Sequence, residues 1–236
     1  MTETTTDALL GGRVLLEQPA GGLRAAIDAV LLAAAVPARA GDAVLELGCG
    51  SGPVFLCLGA RVPGITVLGV ERDAALAELA RRNAARAGIT AQIEARDLRE
   101  GVAPRVAHSF ANPPYWPGGT ASPHAGRRDA AHESSATLHD WVRALAAPLA
   151  HKGTASLVLP AARFADAARA LSEAGCGAVT LLPLWPRAGI AAKRVILRAV
   201  KGGRGPDRVL PGLTLHEADG RFTEAAKAVL RDGAAL

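Results

Sequence analysis

Seven short apolar runs recur along the chain, and most are followed by a stretch with helical periodicity. The strand-like runs are AVLEL (43–47), TVLGV (66–70), AQIEA (91–95), VAHSFA (106–111), ASLVLP (155–160), AVTLLPL (178–184) and RVILRAV (194–200). Between them, Pro53–Ala60 opens on a proline, which the first turn of a helix tolerates. Ala74–Ala87 places Leu76, Leu79, Ala80 and Asn83 at i, i+3, i+4 and i+7, with Gly88 as a stop. Leu138–Leu149 and Ala161–Ala174 are further helical patterns, the second ended by Gly175. Ahead of the first run, GGRVLLEQPAGG reads as a short strand or hairpin and Arg24–Ala35 as a helix, while residues 1–12 read as a loose tail. This alternation predicts an α/β fold: a mostly parallel sheet with helices on both faces.

Two stretches break the pattern. Residues 116–137 are rich in Gly, Pro, Ser and charge and read as a long loop, a feature that is usually functional or mobile. Residues 201–222 are also irregular and precede a final helix that Thr223 can cap. No repeat or domain boundary is evident, and 236 residues suit one large α/β domain spanning 1–236.

Composition adds limits. Basic residues exceed acidic ones by five, which is compatible with a polyanionic partner without requiring one. The excess is concentrated in Lys193, Arg194, Arg198, Lys201, Arg204 and Arg208, which read equally as solvated hairpin arms or as phosphate contacts. Three cysteines without a CxxC, and six histidines without HExxH spacing, point away from a disulfide scaffold or a metal site. The polar N-terminus is unlike a secretory signal and AVLLAAAVPA is too short to span a bilayer, so a cytoplasmic location without membrane attachment is expected.

The chemistry begins at VLELGCGSGP, where Gly48, Gly50 and Gly52 follow a strand and precede a helix. Glycines there permit a tight turn and close approach of a ligand to the backbone. The spacing is GxGxG, with Pro53 where a dinucleotide fingerprint has its third glycine, so S-adenosylmethionine (SAM) is favoured over NAD. Glu71, at the end of the next strand, can accept both ribose hydroxyls of an adenosine cofactor, and Arg72 beside it is grouped with the same site. Asp97 can accept an adenine amino group while Leu98 offers a backbone N–H, although a turn-capping aspartate is also common. Glu46, inside a strand, has two readings: holding the N–H groups of the glycine loop, or lying near the cofactor's amino group.

The second chemical centre is ANPPYW (111–116), which holds two of the chain's eight aromatic residues. Each proline fixes φ and lacks an N–H, so the turn is stiff and the Pro113 carbonyl has no helical partner. Asn112 Oδ1 and the Pro113 carbonyl can bind both hydrogens of an exocyclic amino group, Pro114 rigidifies the turn, and Tyr115 can stack on the attached ring. Trp116 is a second stacking surface or a packing residue. Such an arrangement suits methyl transfer to a weakly nucleophilic planar amine.

LELGCGSG, GVERD, RDL and NPPY, in this order and spacing, resemble the class I SAM-dependent methyltransferases that act on planar amino groups. The resemblance covers roughly residues 40–160 and implies a Rossmann-like sheet of seven strands, mostly parallel, with the last antiparallel. The flanking LLEQPAGGLRAAIDAVLLAA, RRDAAHE and RVILRAVKGG…LTLHEADGRFT are similar to the bacterial tRNA (adenine-N6) methyltransferases, which modify the adenosine 3′ of a valine tRNA anticodon. Structured RNA, above all tRNA, is then the implied partner. Departures from the pattern are the long loop with Trp116, and His108 and Ser109 in the strand before NPPY.

On this reading residues 1–40 form a cofactor-side and substrate-side extension, in which Gln18, Arg24 and Asp28 close over the cofactor or target base; Asp28 reads equally as a polar helix-face residue. Arg127, Arg128, Lys193 and Arg194 are phosphate contacts or plain surface charges. Two alternatives stand beside it. One is a release-factor glutamine N5-methyltransferase, which also uses NPPY but usually carries a longer N-terminal domain. The other is a non-catalytic RNA-binding or SAM-sensing module, against which Asn112, Tyr115 and Glu71 count.

Overall fold

The computed structural model describes residues 3–21, 27–101, 105–114 and 136–236. Its chain order is β1 (Thr4–Leu9), β2 (Val14–Pro19), α1 (Ile27–Ala35), β3 (Ala43–Leu47), α2 (Pro53–Arg61), β4 (Thr66–Glu71), α3 (Ala74–Arg86), β5 (Thr90–Ala95) and β6 (Val106–Ala111). Then come α4 (Leu138–Ala146), β7 (Leu149–Pro160), α5 (Phe164–Glu173), β8 (Cys176–Trp185), β9 (Arg194–Lys201), β10 (Arg208–Val209), β11 (Leu213–Thr214) and α6 (Glu224–Leu230).

The main sheet runs β10-β8-β9-β7-β6-β3-β4-β5, with β11 also pairing to β8. The expected seven strands are its body, and β9 lies antiparallel between β7 and β8. The sheet is larger than expected: β10 and β11, each two residues long, add parallel pairings to β8 out of the stretch read as irregular.

Local chemistry accounts for the helices. Asp73 caps α3 by accepting the N–H groups of Ala75 and Leu76, and Gly88 (φ 66°) ends it. Thr137 and Asp140 form a reciprocal capping box at the start of α4. Thr223 caps α6, as its sequence position predicts.

Three expectations are corrected. Residues 4–9 are no loose tail but a strand, paired antiparallel with β2 from Thr4↔Pro19 to Leu9↔Val14; an unbroken polar run, Thr4–Asp7, had hidden its strand character. The helix read as Leu138–Leu149 ends at Ala146, because Pro148 has no N–H to extend the i→i−4 ladder, and Leu149 already belongs to β7. The helix read from Ala161 begins as a single 3-10 turn and becomes α-helical at Phe164.

Alternate residues of each strand feed the two faces. Val44, Val67, Ile93, Phe110 and Val158 pack under α1, α2, α3 and α6. Leu45, Leu47, Leu68, Val70 and Leu157 pack under α4 and α5. Part of the basic run works inside this architecture. Arg198 donates to Ala35 O at the end of α1, and Lys201 Nζ donates to Ala174 O at the end of α5. Cations there satisfy terminal carbonyls and oppose the negative end of the helix dipole.

Candidate active site

The parallel strands end in register. Leu47 of β3 is level with Val70 of β4 and with Ala111 of β6, and Glu71 is level with Ala95 of β5. Gly48, Glu71 and Asn112 therefore leave the sheet at one height on neighbouring strands, spaced about 5 Å from strand to strand. Asp97 emerges two residues beyond Ala95. The chain order reverses at β3, with β4 on one side and β6 on the other. Open α/β sheets bind ligands in the crevice at the carboxyl ends of the strands at such a reversal.

The glycine loop is held from three sides. Gly48 and Cys49 both donate to Val70 O, at 2.7 and 3.1 Å. Glu71 Oε2 accepts from Gly50 N and its Oε1 from Asp73 N, each at 2.9 Å. Glu46 Oε2 accepts from Phe55 N at 2.9 Å, in the first turn of α2. The carboxyl therefore meets an orphan N–H at the N-terminus of α2, just past the glycine loop, and no bond from Glu46 to an N–H of residues 48–52 is seen among the described residues. Burial pushes its pKa well above the usual carboxylate range, and the neighbouring Glu71 charge adds to the rise.

Gly48, Gly50 and Gly52 all have left-handed backbone, with φ of 63°, 55° and 96°. They differ in what surrounds them. A Cβ on Gly48 would lie 2.5 Å from the Trp141 ring, whereas one on Gly50 would meet nothing within 4 Å. Gly48 lets a helix pack onto the loop, and Gly50 leaves open space beside Glu71. Open backbone next to a carboxylate at a strand end fits the adenosine part of SAM, with Gly50 admitting close approach and Glu71 supplying acceptors. Cys49 and Cys57 are buried thiols with raised pKa, that of Cys57 pushed up to about 12, so neither is a nucleophile.

Other expected residues are engaged in local contacts. Asp97 accepts from Arg99 N at 2.9 Å and pairs with the Arg99 guanidinium at 2.8 Å, which lowers its pKa. Its capping role is realised at the edge of the same crevice, and Leu98 beside it is buried. Arg72 is exposed. Gln18 is buried and donates to Asp7 across the β1–β2 hairpin. Asp28 and Arg194 form an ion pair at 3.2 Å between α1 and β9. Arg194 is level with Pro160 of β7, so this pair stands at the active edge of the sheet, and exposed Lys193 precedes it. Asn112 and Pro114 are half-buried and Pro113 is buried. Arg24, Tyr115, Trp116, Arg127 and Arg128 lie outside the described residues.

Three residues near the site escaped the sequence reading. Trp141 of α4 covers Gly48, and with Arg163 it lines a notch of about 20 Å³ beside Pro113 and Pro114. Arg163 had a readable signal as the first cation beyond the end of β7. Asn83 lies fully buried on α3, and its signal was an amide within an apolar stripe. A larger open cleft of about 390 Å³ runs along Glu217–Lys227. Its walls hold the Asp219–Arg221 and Glu224–Lys227 ion pairs, and it lies apart from the glycine loop.

His108 and Ser109 have structural duties. Ser109 Oγ donates to Leu145 O at 2.9 Å, joining β6 to α4. His108 contacts Thr154 Oγ1 at 2.8 Å and Asp42 at 3.3 Å, toward the amino end of the strands, and burial lowers its pKa. Among the described residues no cluster of His, Cys, Asp or Glu could hold a metal ion, and no helix is long and apolar enough to cross a membrane.

Comparison with known proteins supplies the family. Residues 24–158 match the model described as "Methyltransferase small domain". The tRNA1(Val) (adenine(37)-N6)-methyltransferase of Shewanella amazonensis is 30% identical over 217 residues, covering 89% of this chain and 91% of the relative. The protein of that name from Aeromonas hydrophila is 29% identical, covering 86% of each. Among solved structures, a predicted O-methyltransferase from Agrobacterium tumefaciens superposes with a TM-score of 0.72 at 24% identity, covering 89% of this chain and 98% of its own. A T. thermophilus 16S rRNA N2 G1207 methyltransferase in complex with AdoMet and guanosine gives 0.59 at 23% identity, covering 84% and 50%. At these identities the two structures show the shared fold.

Proposed function

The chain belongs to the methyltransferase small domain family, alongside the relatives named tRNA1(Val) (adenine(37)-N6)-methyltransferase, and on that premise we propose that it methylates the N6 amino group of an adenine in cytoplasmic tRNA, next to the anticodon, with SAM as donor. The observation that carries the reading is the placement of Asn112-Pro113-Pro114 one strand from Gly48, at the reversal of the sheet. The whole chain then acts as one catalytic domain, with residues 1–40 on the cofactor and substrate side and 116–137 as the substrate loop.

SAM would supply a methyl group activated by its sulfonium centre, the C–S bond breaking as the N–C bond forms, so that a thioether leaves and the nitrogen sheds one proton to solvent. Glu71 and Gly50 hold its adenosine end, and Asp97 with Leu98 borders the base. Asn112 Oδ1 and the Pro113 carbonyl accept the two hydrogens of the target amino group. That contact draws the nitrogen out of conjugation with the ring and fixes the direction of its lone pair. Tyr115 stacks on the adenine. Neither Asn112 nor a carbonyl is a strong base, so positioning and electrostatics supply the acceleration. A base reaching these acceptors must leave its stack, at a cost of a few kcal/mol that is smaller in an anticodon loop than in a duplex. Lys193, with Arg127 and Arg128, then meets backbone phosphates, while Arg194 and Asp28 brace the entrance.

The test is transfer of labelled methyl from SAM to total tRNA and, separately, to purified release factor, followed by nucleoside analysis. N6-methyladenosine in the tRNA arm is expected. Label confined to release factor would replace the substrate, and label in neither arm despite SAM binding would remove the catalytic reading.

A further inference from the structure

Asn83 makes four hydrogen bonds from a side chain with no solvent exposure. Its Nδ2 donates to Ser51 O and to Glu17 O, both at 2.8 Å. Its Oδ1 accepts from Glu17 N at 3.1 Å and from Arg86 Nη2 at 2.8 Å. Both hydrogens and both acceptor sites of the carboxamide are used. Glu17 presents both its N–H and its C=O to this amide, as a strand residue would to a neighbouring strand. Ser51 is the residue between Gly50 and Gly52. One buried amide on α3 therefore joins the middle of β2 to the glycine loop.

We propose that Asn83 is a positioning residue that couples the N-terminal β1–β2 hairpin to the cofactor loop, so that hairpin docking and SAM binding are a single linked equilibrium. The proposal rests on the SAM reading of the loop. The glycine loop has little freedom to move alone. Gly50 N is tied to Glu71, and Ser51 O is tied through Asn83 to Glu17. A shift of the loop that breaks the Ser51 contact strands a buried donor, a cost the native arrangement avoids. Beyond Glu17 the chain continues through buried Gln18 toward α1, whose Asp28 holds Arg194 at the active edge. The amide thus links the donor side of the site to the segment that leads to its substrate side. Linkage is reciprocal: whatever SAM does to hairpin docking, hairpin docking does to SAM affinity.

Two independent readouts test this. In the unmodified protein, SAM should slow hydrogen exchange at least five-fold in the peptide holding Glu17, as well as in the glycine loop. Leu16→Ala loosens the hairpin from within, because Leu16 is fully buried there. It should raise the Kd and KM for SAM at least five-fold, with kcat at saturating SAM within two-fold. Asn83→Asp, which loses both donors at constant size, should do the same or more. Leu171→Ala, a core truncation on α5 itself at the other face of the sheet, serves as the control for plain destabilisation and should leave the Kd unchanged. Loop protection by SAM without protection at Glu17 would overturn the coupling while leaving the cofactor reading intact. Equal Kd changes in Leu16→Ala and Leu171→Ala would also overturn it. Absence of SAM binding by the unmodified protein would remove the cofactor reading and the proposal together.

Discussion

Glu71 Oε2 accepts the Gly50 N–H at 2.9 Å, so the acidic strand end and the glycine loop are one hydrogen-bonded unit. Its second oxygen accepts from Asp73 N, which fixes the carboxylate at the entry to α3. On the proposed reading, these contacts hold the carboxylate where ribose hydroxyls would meet it. Glu71→Ala should raise the Kd for SAM by about 10- to 100-fold, the loss of one or two charge-assisted hydrogen bonds. Glu71→Gln, which keeps acceptor oxygen, should fall between. Calorimetric titration measures both, and an unchanged Kd would remove Glu71 from the cofactor site.

On the same proposed reading, Asn112, just past the end of β6, is the acceptor for the target amine. Asn112→Ala should lower kcat by about 100-fold, comparable to losing one preorganised polar group at a reacting centre. The Kd for SAM should stay within two-fold. Single-turnover rates at saturating SAM separate the effects, and parallel loss of both would make Asn112 a support for cofactor or fold.

The neighbouring glycines should fail differently. Gly48→Ala combines left-handed backbone with a Cβ 2.5 Å from the Trp141 ring. A stability loss of about 2–5 kcal/mol is expected from strain plus overpacking. Gly50→Ala meets no atom within 4 Å and should cost about 1–2 kcal/mol from backbone strain. Its larger effect should be on SAM affinity, because on the proposed reading the ligand approaches through that open space. Urea unfolding with SAM titration compares the two, and equal stability losses would contradict the packing account.

Glu46 gives a pH test. Its folded pKa is raised by burial, so the protonated form is the one the fold favours. Its contribution is complete below the unfolded carboxylate value of about 4.3 and is lost as pH rises through the folded pKa. Glu46→Gln keeps an acceptor for Phe55 N and cannot ionise. Relative to wild type, the variant should gain stability progressively as pH rises above the unfolded carboxylate value, until the folded Glu46 ionises. Denaturant unfolding at two pH values above that limit checks this, and a constant difference would show that Glu46 is already ionised in the folded protein there.

The strand runs, GxGxG loop, Glu71 and NPP were legible because their signals are local: periodicity, turn glycines and prolines act within a few residues. Parallel pairing then carries those strand ends to one edge, and the alternating pattern implies that pairing. The pairing of residues 4–9 onto β2, the fit of Trp141 onto Gly48, and the Asp28–Arg194 pair were not legible. Each joins segments whose separation carries no compositional signature. Asn83 and Glu17 are 66 positions apart, and only packing of α3 against β2 brings them together. The basic run makes the same point. Spacing marked Arg198 and Lys201 as charges of uncertain use, and the arrangement of helix ends turned both into caps for terminal carbonyls. Local chemistry wrote the motifs into the chain, while burial and long-range hydrogen bonding decided which polar side chains hold the site in shape.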